Sequence, residues 1–158
     1  MSETTISRSL SVEFGTLTSD LTTTTGTTAT VIAPFTGEVL HELPLSSASD
    51  VADAAASARA AAVAWRAAGH AHRRAVLLKA HDLLLERRDD LLDILQTETG
   101  KTRGQAFEEV FQGANVARYY AVKARGILAR HRRRATIPVI MQTRVSYKPK
   151  GLIGVITP

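Results

Sequence analysis

Apolar residues at helical spacing dominate the middle of this chain. From Phe107 to Leu128 they alternate four- and three-residue steps and form one continuous seam. The seam consists of Phe107, Val110, Ala114, Ala117, Ala121, Ala124 and Leu128. Shorter segments with the same spacing precede it at 49–69, 71–88 and 89–97. The pattern predicts four consecutive helices, with Ser49 as the N-cap of the first.

Strand patterns flank the helices on both sides. Two segments with strand-forming residues flank a Pro-Phe-Thr-Gly turn and predict a hairpin over 29–43. After the helices, Ala135–Met141 and Thr143–Pro149 predict two further strands. The short apolar run inside 151–158 is typical of a parallel strand that is covered on both faces. Ligands of open α/β sheets bind outside the carboxyl ends of such strands, so this run predicts a nearby binding site.

Composition narrows the class of protein. No stretch approaches the roughly 20 apolar residues of a membrane span, and no signal-peptide core opens the chain. The 158 residues include no cysteine, which excludes disulfides, thiolate metal sites and a cysteine nucleophile. Residues 1–28 are polar and rich in threonine, and we expect a flexible arm there. A cytoplasmic location is the expectation.

The basic excess is concentrated in Arg130–Arg134. The chain has 20 basic and 15 acidic residues, a formal charge of +5. This cluster fits either a solvated helix C-terminus or an arm that neutralises nucleic-acid phosphates. We favour the helix terminus, because no aromatic residue is interleaved for base stacking. Nucleic acid is therefore not an expected partner.

Candidate catalytic and metal motifs are incomplete. Gly100-Lys101-Thr102 follows a predicted helix, and Leu95 stands where a phosphate loop needs its first glycine. The histidine spacings suit no metal site. Capping and charge pairing account for Glu98, Glu108 and Glu109. From the residues alone we predict no catalytic set and no metal site.

The order of several short motifs resembles the opening section of the aldehyde dehydrogenase family. The resemblance covers Val31 to Pro158 and is most similar to the succinate-semialdehyde dehydrogenase branch. Its landmarks are Pro34-Phe35-Thr36-Gly37-Glu38, the helix ending at Trp65, Arg74 with Leu77-Leu78, Glu98-Thr99-Gly100-Lys101, Tyr119-Tyr120-Ala121 and Pro149–Pro158. The closing motif is the most specific of these.

The resemblance implies an α/β fold of which this chain is the mainly helical part, with an N-terminal hairpin, a two-stranded arm and the first Rossmann-type strand. After the flexible residues 1–28, the resemblance implies three divisions. Residues 29–134 would form the hairpin and helices of the cofactor-binding domain. Residues 135–149 would form strands that pair with a partner subunit, and 150–158 the first Rossmann-type strand.

The resemblance also implies particular site residues. Ile156, Thr157 and Pro158 would line the NAD or NADP site, largely through backbone and shape. Glu98 would lie where some members place a carboxylate near a structural monovalent cation. Residues 135–149 would join a second copy of the chain or an intact homologue.

The departures from the family bear on activity. The family follows this closing strand with Trp-Asn, whose asparagine helps to stabilise the oxyanion, and this sequence stops directly before that pair. The family's cysteine nucleophile, general-base glutamate and ribose-binding lysine lie further on. We therefore expect an N-terminal fragment of an NAD(P)-dependent enzyme that oxidises succinate semialdehyde to succinate, with no catalytic residue and no bound cofactor of its own. A non-catalytic module that pairs strands with a partner is the alternative, and whether the chain itself is an enzyme stays open.

Overall fold

The computed structural model describes residues 18–19, 21, 23–137 and 139–156, so most of the predicted arm at 1–28 lies outside the described residues. Four helices stand between two short antiparallel strand pairs within this part. In chain order the elements are β1 (Thr28–Ile32), β2 (Val39–Pro44), α1 (Ala48–Ala67), α2 (Gly69–Glu86), α3 (Arg88–Thr99), α4 (Arg103–Ile127), β3 (His131–Arg133) and β4 (Thr143–Val145). None of the helices described there is long and apolar enough to cross a membrane.

The N-terminal hairpin forms where the sequence predicts it. β1 and β2 pair antiparallel from Thr28 opposite Pro44 to Ile32 opposite Val39, with an irregularity in the register before Ile32. The Ala33 N–H donates to the Glu38 carbonyl at 2.9 Å and closes the turn. The predicted hairpin over 29–43 is therefore confirmed.

A capping box begins α1, two residues earlier than a cap at Ser49 predicts. The Ser47 side chain accepts from the backbone N–H of Asp50, and the Asp50 carboxylate accepts from the backbone N–H of Ser47 at 2.8 Å. Ser47 is therefore the N-cap, and the prediction of Ser49 was wrong, because only Ser47 has an acidic residue three positions later to complete the box.

Asp50 also fastens the chain that precedes the hairpin. Its carboxylate accepts from the Thr24 backbone N–H at 3.1 Å and from the Thr24 hydroxyl at 2.8 Å. The residue is buried. The donors, first the Ser47 backbone N–H and then the Thr24 hydroxyl, lower the pKa of Asp50 to about 2. Asp50 is thus a charged anchor between α1 and the residues before β1.

The core of the helical part lies where α2 and α3 pack against α4. Leu92 of α3 meets Ala106 and Val110 of α4 in a buried cluster. Further along α4, Ala114 and Ala121 are also buried. The predicted seam therefore faces the core in its middle, but its end members Phe107 and Leu128 are about half exposed. Ala106 is buried in place of Phe107, because the buried face continues back from Ala114 and Val110 in four-residue steps.

A glycine and a threonine set the junction between α3 and α4. Gly100 ends α3 in the left-handed conformation, with φ +73°. Thr102 caps α4 in a box with Gln105, whose side-chain oxygen accepts from the Thr102 N–H at 3.2 Å. The Gly-Lys-Thr sequence is therefore a helix stop followed by a helix start.

The arm after α4 begins earlier than the sequence predicts. α4 ends at Ile127, and the chain enters β3 at His131, which pairs with Val145 of β4. The interpretation of Arg130–Arg134 as a helix C-terminus is wrong, because the helix ends at Ile127 and His131–Arg133 pair with Thr143–Val145. The first arm strand is 131–133 rather than 135–141, while β4 falls inside the predicted 143–149.

Candidate functional site

Ile156, the first of the three residues predicted to line the cofactor, lies at the end of an exposed apolar run, 151–156. Ile156 is 100% exposed, and Val155 and Ile153 are largely exposed. Their backbone pairs in no sheet within the described residues. Thr157 and Pro158, the other two predicted residues, lie outside the described part of the chain. A fully exposed side chain contacts no pocket wall, so the described residues do not enclose a dinucleotide at Ile156.

The arm forms a second exposed surface. Between β3 and β4 its tip presents Ile137, Val139, Ile140 and Met141, with Val139 93% exposed. Arg132 and Arg144 lie directly opposite each other across the two strands. Like charges in that position repel, so the ladder gains nothing from this pair. The arm therefore exposes apolar side chains and the outer edges of a two-stranded sheet.

A cleft lies where the end of α1 and the start of α2 meet the segment 147–151. Its volume is about 710 Å³, within the range of small-molecule sites. The basic side chains on its wall are Arg66, His70, Arg73, Lys148 and Lys150, and no carboxylate lines it. Arg73 Nη1 donates to the Trp65 carbonyl at 3.0 Å and ties α2 to the last turn of α1. The arrangement attracts anions, because a cleft lined by charge of one sign concentrates the field.

The glutamates near the junction are solvent-exposed. Glu98 is exposed near the end of α3, and the described residues hold no group of three or more His, Asp or Glu that could bind a metal ion. Glu109 pairs with Lys101 at 2.5 Å. This pair agrees with the charge pairing inferred from the sequence. The monovalent-cation site that the resemblance implies near Glu98 stays a prediction.

The tertiary structure brings together a set of residues that sequence patterns miss. Trp65 and Arg66 come from one helix and Arg73 from the next, while Lys148 and Lys150 lie about eighty positions later. Each of these residues looks like an ordinary surface position in its own segment. The only sequence signal is the alternation of Lys148 and Lys150 around Pro149, which does not specify a partner segment.

Comparisons with known proteins agree on one family. The family model described as "Aldehyde dehydrogenase family" matches residues 21–158. A Mycolicibacterium smegmatis protein named "Putative succinate-semialdehyde dehydrogenase", with NADP(+) in its name, is 43% identical over 78% of this chain and 24% of its own length. A rice protein (Oryza sativa subsp. japonica) named "Succinate-semialdehyde dehydrogenase, mitochondrial" is 31% identical over 84% of this chain and 25% of its own.

Solved structures give the same result. The crystal structure of an NAD-dependent benzaldehyde dehydrogenase from Corynebacterium glutamicum matches with a TM-score of 0.66 and 27% identity, covering 75% of this chain and 26% of that one. The predicted fold class, the mainly helical part of an aldehyde dehydrogenase-like fold, is confirmed. The chain spans about a quarter of the length of the curated relatives that it matches.

Proposed function

Because this chain belongs to the aldehyde dehydrogenase family over residues 21–158, we propose that it forms the N-terminal section of an NAD(P)-dependent aldehyde dehydrogenase. The names of relatives at 43% and 31% identity support succinate semialdehyde, oxidised to succinate, as the substrate of the whole protein. The observation that carries the proposal is the family match itself, which runs through the hairpin, the helices, the arm and the segment 151–156. The cytoplasmic location stays a prediction.

The 158 residues by themselves do not oxidise aldehydes in this proposal. The family's route begins when a cysteine thiolate attacks the aldehyde carbon, and this sequence contains no cysteine. Without that bond, no hydride donor forms from the aldehyde. The catalytic residues of the whole protein are therefore contributed by other segments.

The contribution of 151–156 is structural. Its exposed side chains, including Val155 and Ile156, and its unpaired backbone suit a strand that pairs with parallel neighbours and is covered on both faces in the whole protein. At Ile156 the described residues alone do not enclose a dinucleotide, since that side chain is fully exposed. We propose that the NAD or NADP of the whole protein is held mainly by other segments, with Ile156, Thr157 and Pro158 at the rim of that site.

The arm is the surface for a partner subunit in this proposal. Residues 131–145 present two strand edges and an apolar tip at Val139 and Ile140. A partner strand would satisfy the edge N–H and carbonyl groups, and a partner surface would cover the tip. In this proposal the surface for a partner subunit begins at β3, a few residues before the division at 135–149 that the resemblance implies.

A chimera tests the assignment to this section of the enzyme. In the Mycolicibacterium smegmatis relative, the quarter of the chain that matches this protein is replaced by residues 21–158. We expect the chimera to reduce NADP⁺ in the presence of succinate semialdehyde, because a 43% identical section preserves the contacts with the remainder. The unmodified relative is the positive control. A chimera that assembles to the relative's native size but is inactive would contradict the proposal.

The 158-residue chain alone provides the complementary measurement. We expect no aldehyde-dependent reduction of NAD⁺ or NADP⁺ above the rate without protein. Turnover by this chain alone would show that its catalysis does not need a cysteine and would overturn the mechanism stated above.

A non-catalytic strand-pairing module is the second candidate. The observation in its favour is the exposed, unpaired run at 151–156 beside an arm with open edges. If this is the function, the chain alone binds the intact Mycolicibacterium smegmatis relative in size-exclusion chromatography and alters its activity. If the chain elutes separately from that relative, the module is excluded and the enzyme section remains.

A further inference from the structure

The cleft between α1, α2 and 147–151 has uncompensated positive charge. Within the described residues, none of Arg66, Arg73, Lys148 and Lys150 forms an ion pair, although carboxylates pair with other cations such as Arg103. The four cations around this cleft repel each other. An anion with more than one negative charge would remove that repulsion and take several charge-assisted hydrogen bonds.

The rest of the wall is apolar and aromatic. Trp65 and Tyr147 line the cleft and are both about half exposed, so each has ring surface free to contact a ligand. Leu128 and Val63 extend this wall. Flat rings stack well on such side chains, and the volume of about 710 Å³ is far larger than a lone inorganic anion needs. The wall thus suits an anion that also carries a ring.

We propose that this cleft binds a nucleoside di- or triphosphate, with the phosphates on the basic side chains and the base against Trp65. Arginine forks match phosphate oxygens in pairs, so Arg66 and Arg73 hold the phosphates in a defined orientation. Lys148 and Lys150 add point charges from the segment 147–151. The site does not include Ile156 and is separate from the proposed rim of the NAD(P) site.

Fluorescence of the 158-residue chain tests the proposal directly. Trp65 is the single tryptophan of the sequence, so its emission reports on this cleft alone. ADP at low ionic strength should change the emission in a saturable way, and added salt should weaken the binding. Adenosine should have no effect, and pyrophosphate should bind at least about fivefold more weakly than ADP because it lacks a ring to stack.

Matched variants locate the binding. Arg66→Gln and Lys148→Gln should each weaken ADP binding by about five- to tenfold, a reduced effect because these side chains are exposed to solvent. Arg59→Gln is the control, since Arg59 lies two turns earlier on the same side of α1, about 10 Å along the axis, and does not line the cleft. Unchanged emission with ADP, or equal affinity in Arg66→Gln, Lys148→Gln and Arg59→Gln, would overturn the proposal. Equal affinity for ADP and pyrophosphate would overturn the role of the ring. All of these readouts are independent of aldehyde oxidation.

Discussion

Replacement of Gly100 by alanine tests how the hairpin is fixed to the helices. Gly100 ends α3 with φ +73°, and a Cβ at this position would lie 2.8 Å from Phe35 Cε2 and 3.0 Å from Pro34 Cγ. Gly100→Ala therefore meets two costs, one from the backbone conformation and one from the hairpin turn that packs on it. The contact is the point where the β1–β2 turn meets the junction of α3 and α4.

The magnitudes of the two costs follow from the geometry. An L-residue in the left-handed region costs roughly 1–2 kcal/mol. The Phe35 ring is 82% exposed and can turn away, which adds about 0.5–1.5 kcal/mol for an unfavourable rotamer and lost contact. Gly100→Ala should thus lower the free energy of unfolding by roughly 1.5–3.5 kcal/mol. The melting temperature falls by about 2–4 °C for each kcal/mol.

Gly69 provides the matched control for the backbone term. Its φ is +76°, close to that of Gly100, and no atom lies within 4 Å of a Cβ built on it. Urea denaturation followed by helical circular dichroism should give Gly69→Ala the backbone cost alone. The excess of Gly100→Ala over Gly69→Ala then measures the contact with the turn. In a Phe35→Ala background this excess should shrink, because the nearest clashing atoms are gone.

Two results would refute this reasoning. Equal losses for Gly100→Ala and Gly69→Ala would show that the hairpin turn does not press on Gly100. An excess that persists undiminished in the Phe35→Ala background would show that the Phe35 ring is not its source.

Three further changes test the anchor and the core. The folded-state pKa of Asp50 is lowered to about 2 from 3.8, so its charge contributes stability above pH 3.8 that is lost as the pH falls through 2. The difference in unfolding free energy between the wild type and Asp50→Asn should therefore close over this pH window. A difference that widens on acidification would contradict the hydrogen-bonded anchor. Leu92→Ala should lower the free energy of unfolding by about 2–5 kcal/mol in urea denaturation, because it leaves a cavity. Leu85 is partly exposed, so Leu85→Ala should lower it much less, and equal losses would disprove the assigned core. Ala106→Leu should lower the free energy of unfolding by about 1–3 kcal/mol through overpacking, while Val122→Leu at a half-exposed position should leave it nearly unchanged. An Ala106→Leu variant as stable as the wild type would show that α3 and α4 are not in close contact.

Local patterns predicted most of the secondary structure. The hairpin and the four helices occur where periodicity and turn residues place them, with boundaries shifted by a few residues. The shift at α1 has a local cause that the sequence contains, since Ser47 and Asp50 stand at capping-box spacing. The order of the landmark motifs also indicates the family, because the residues of a motif and its place in the chain can be recognised without knowledge of the fold.

Contacts between distant segments were beyond those patterns. Charge alone favours a helix terminus for the arginine cluster, because the pairing of His131–Arg133 with β4, about a dozen residues later, leaves no periodic trace in the sequence. Phe107 shows the same limit. Its apolar character fits the seam, but its position around the axis of α4 leaves the side chain about half exposed. The role of Ile156, Thr157 and Pro158 stays a prediction for a related reason, because a site formed by several strands is not defined by one of them.

The sequence by itself determined the kind of elements, their order, the family and the absence of a cysteine nucleophile. Those properties depend on the spacing and identity of neighbouring residues, which the chain carries whatever its folded shape. Only the tertiary structure decided that Gly100 lies under the turn at Phe35 and that Trp65 and Arg66 share a cleft with Lys148. Such approaches depend on how packed helices orient segments that are tens of residues apart, and no local pattern records that orientation.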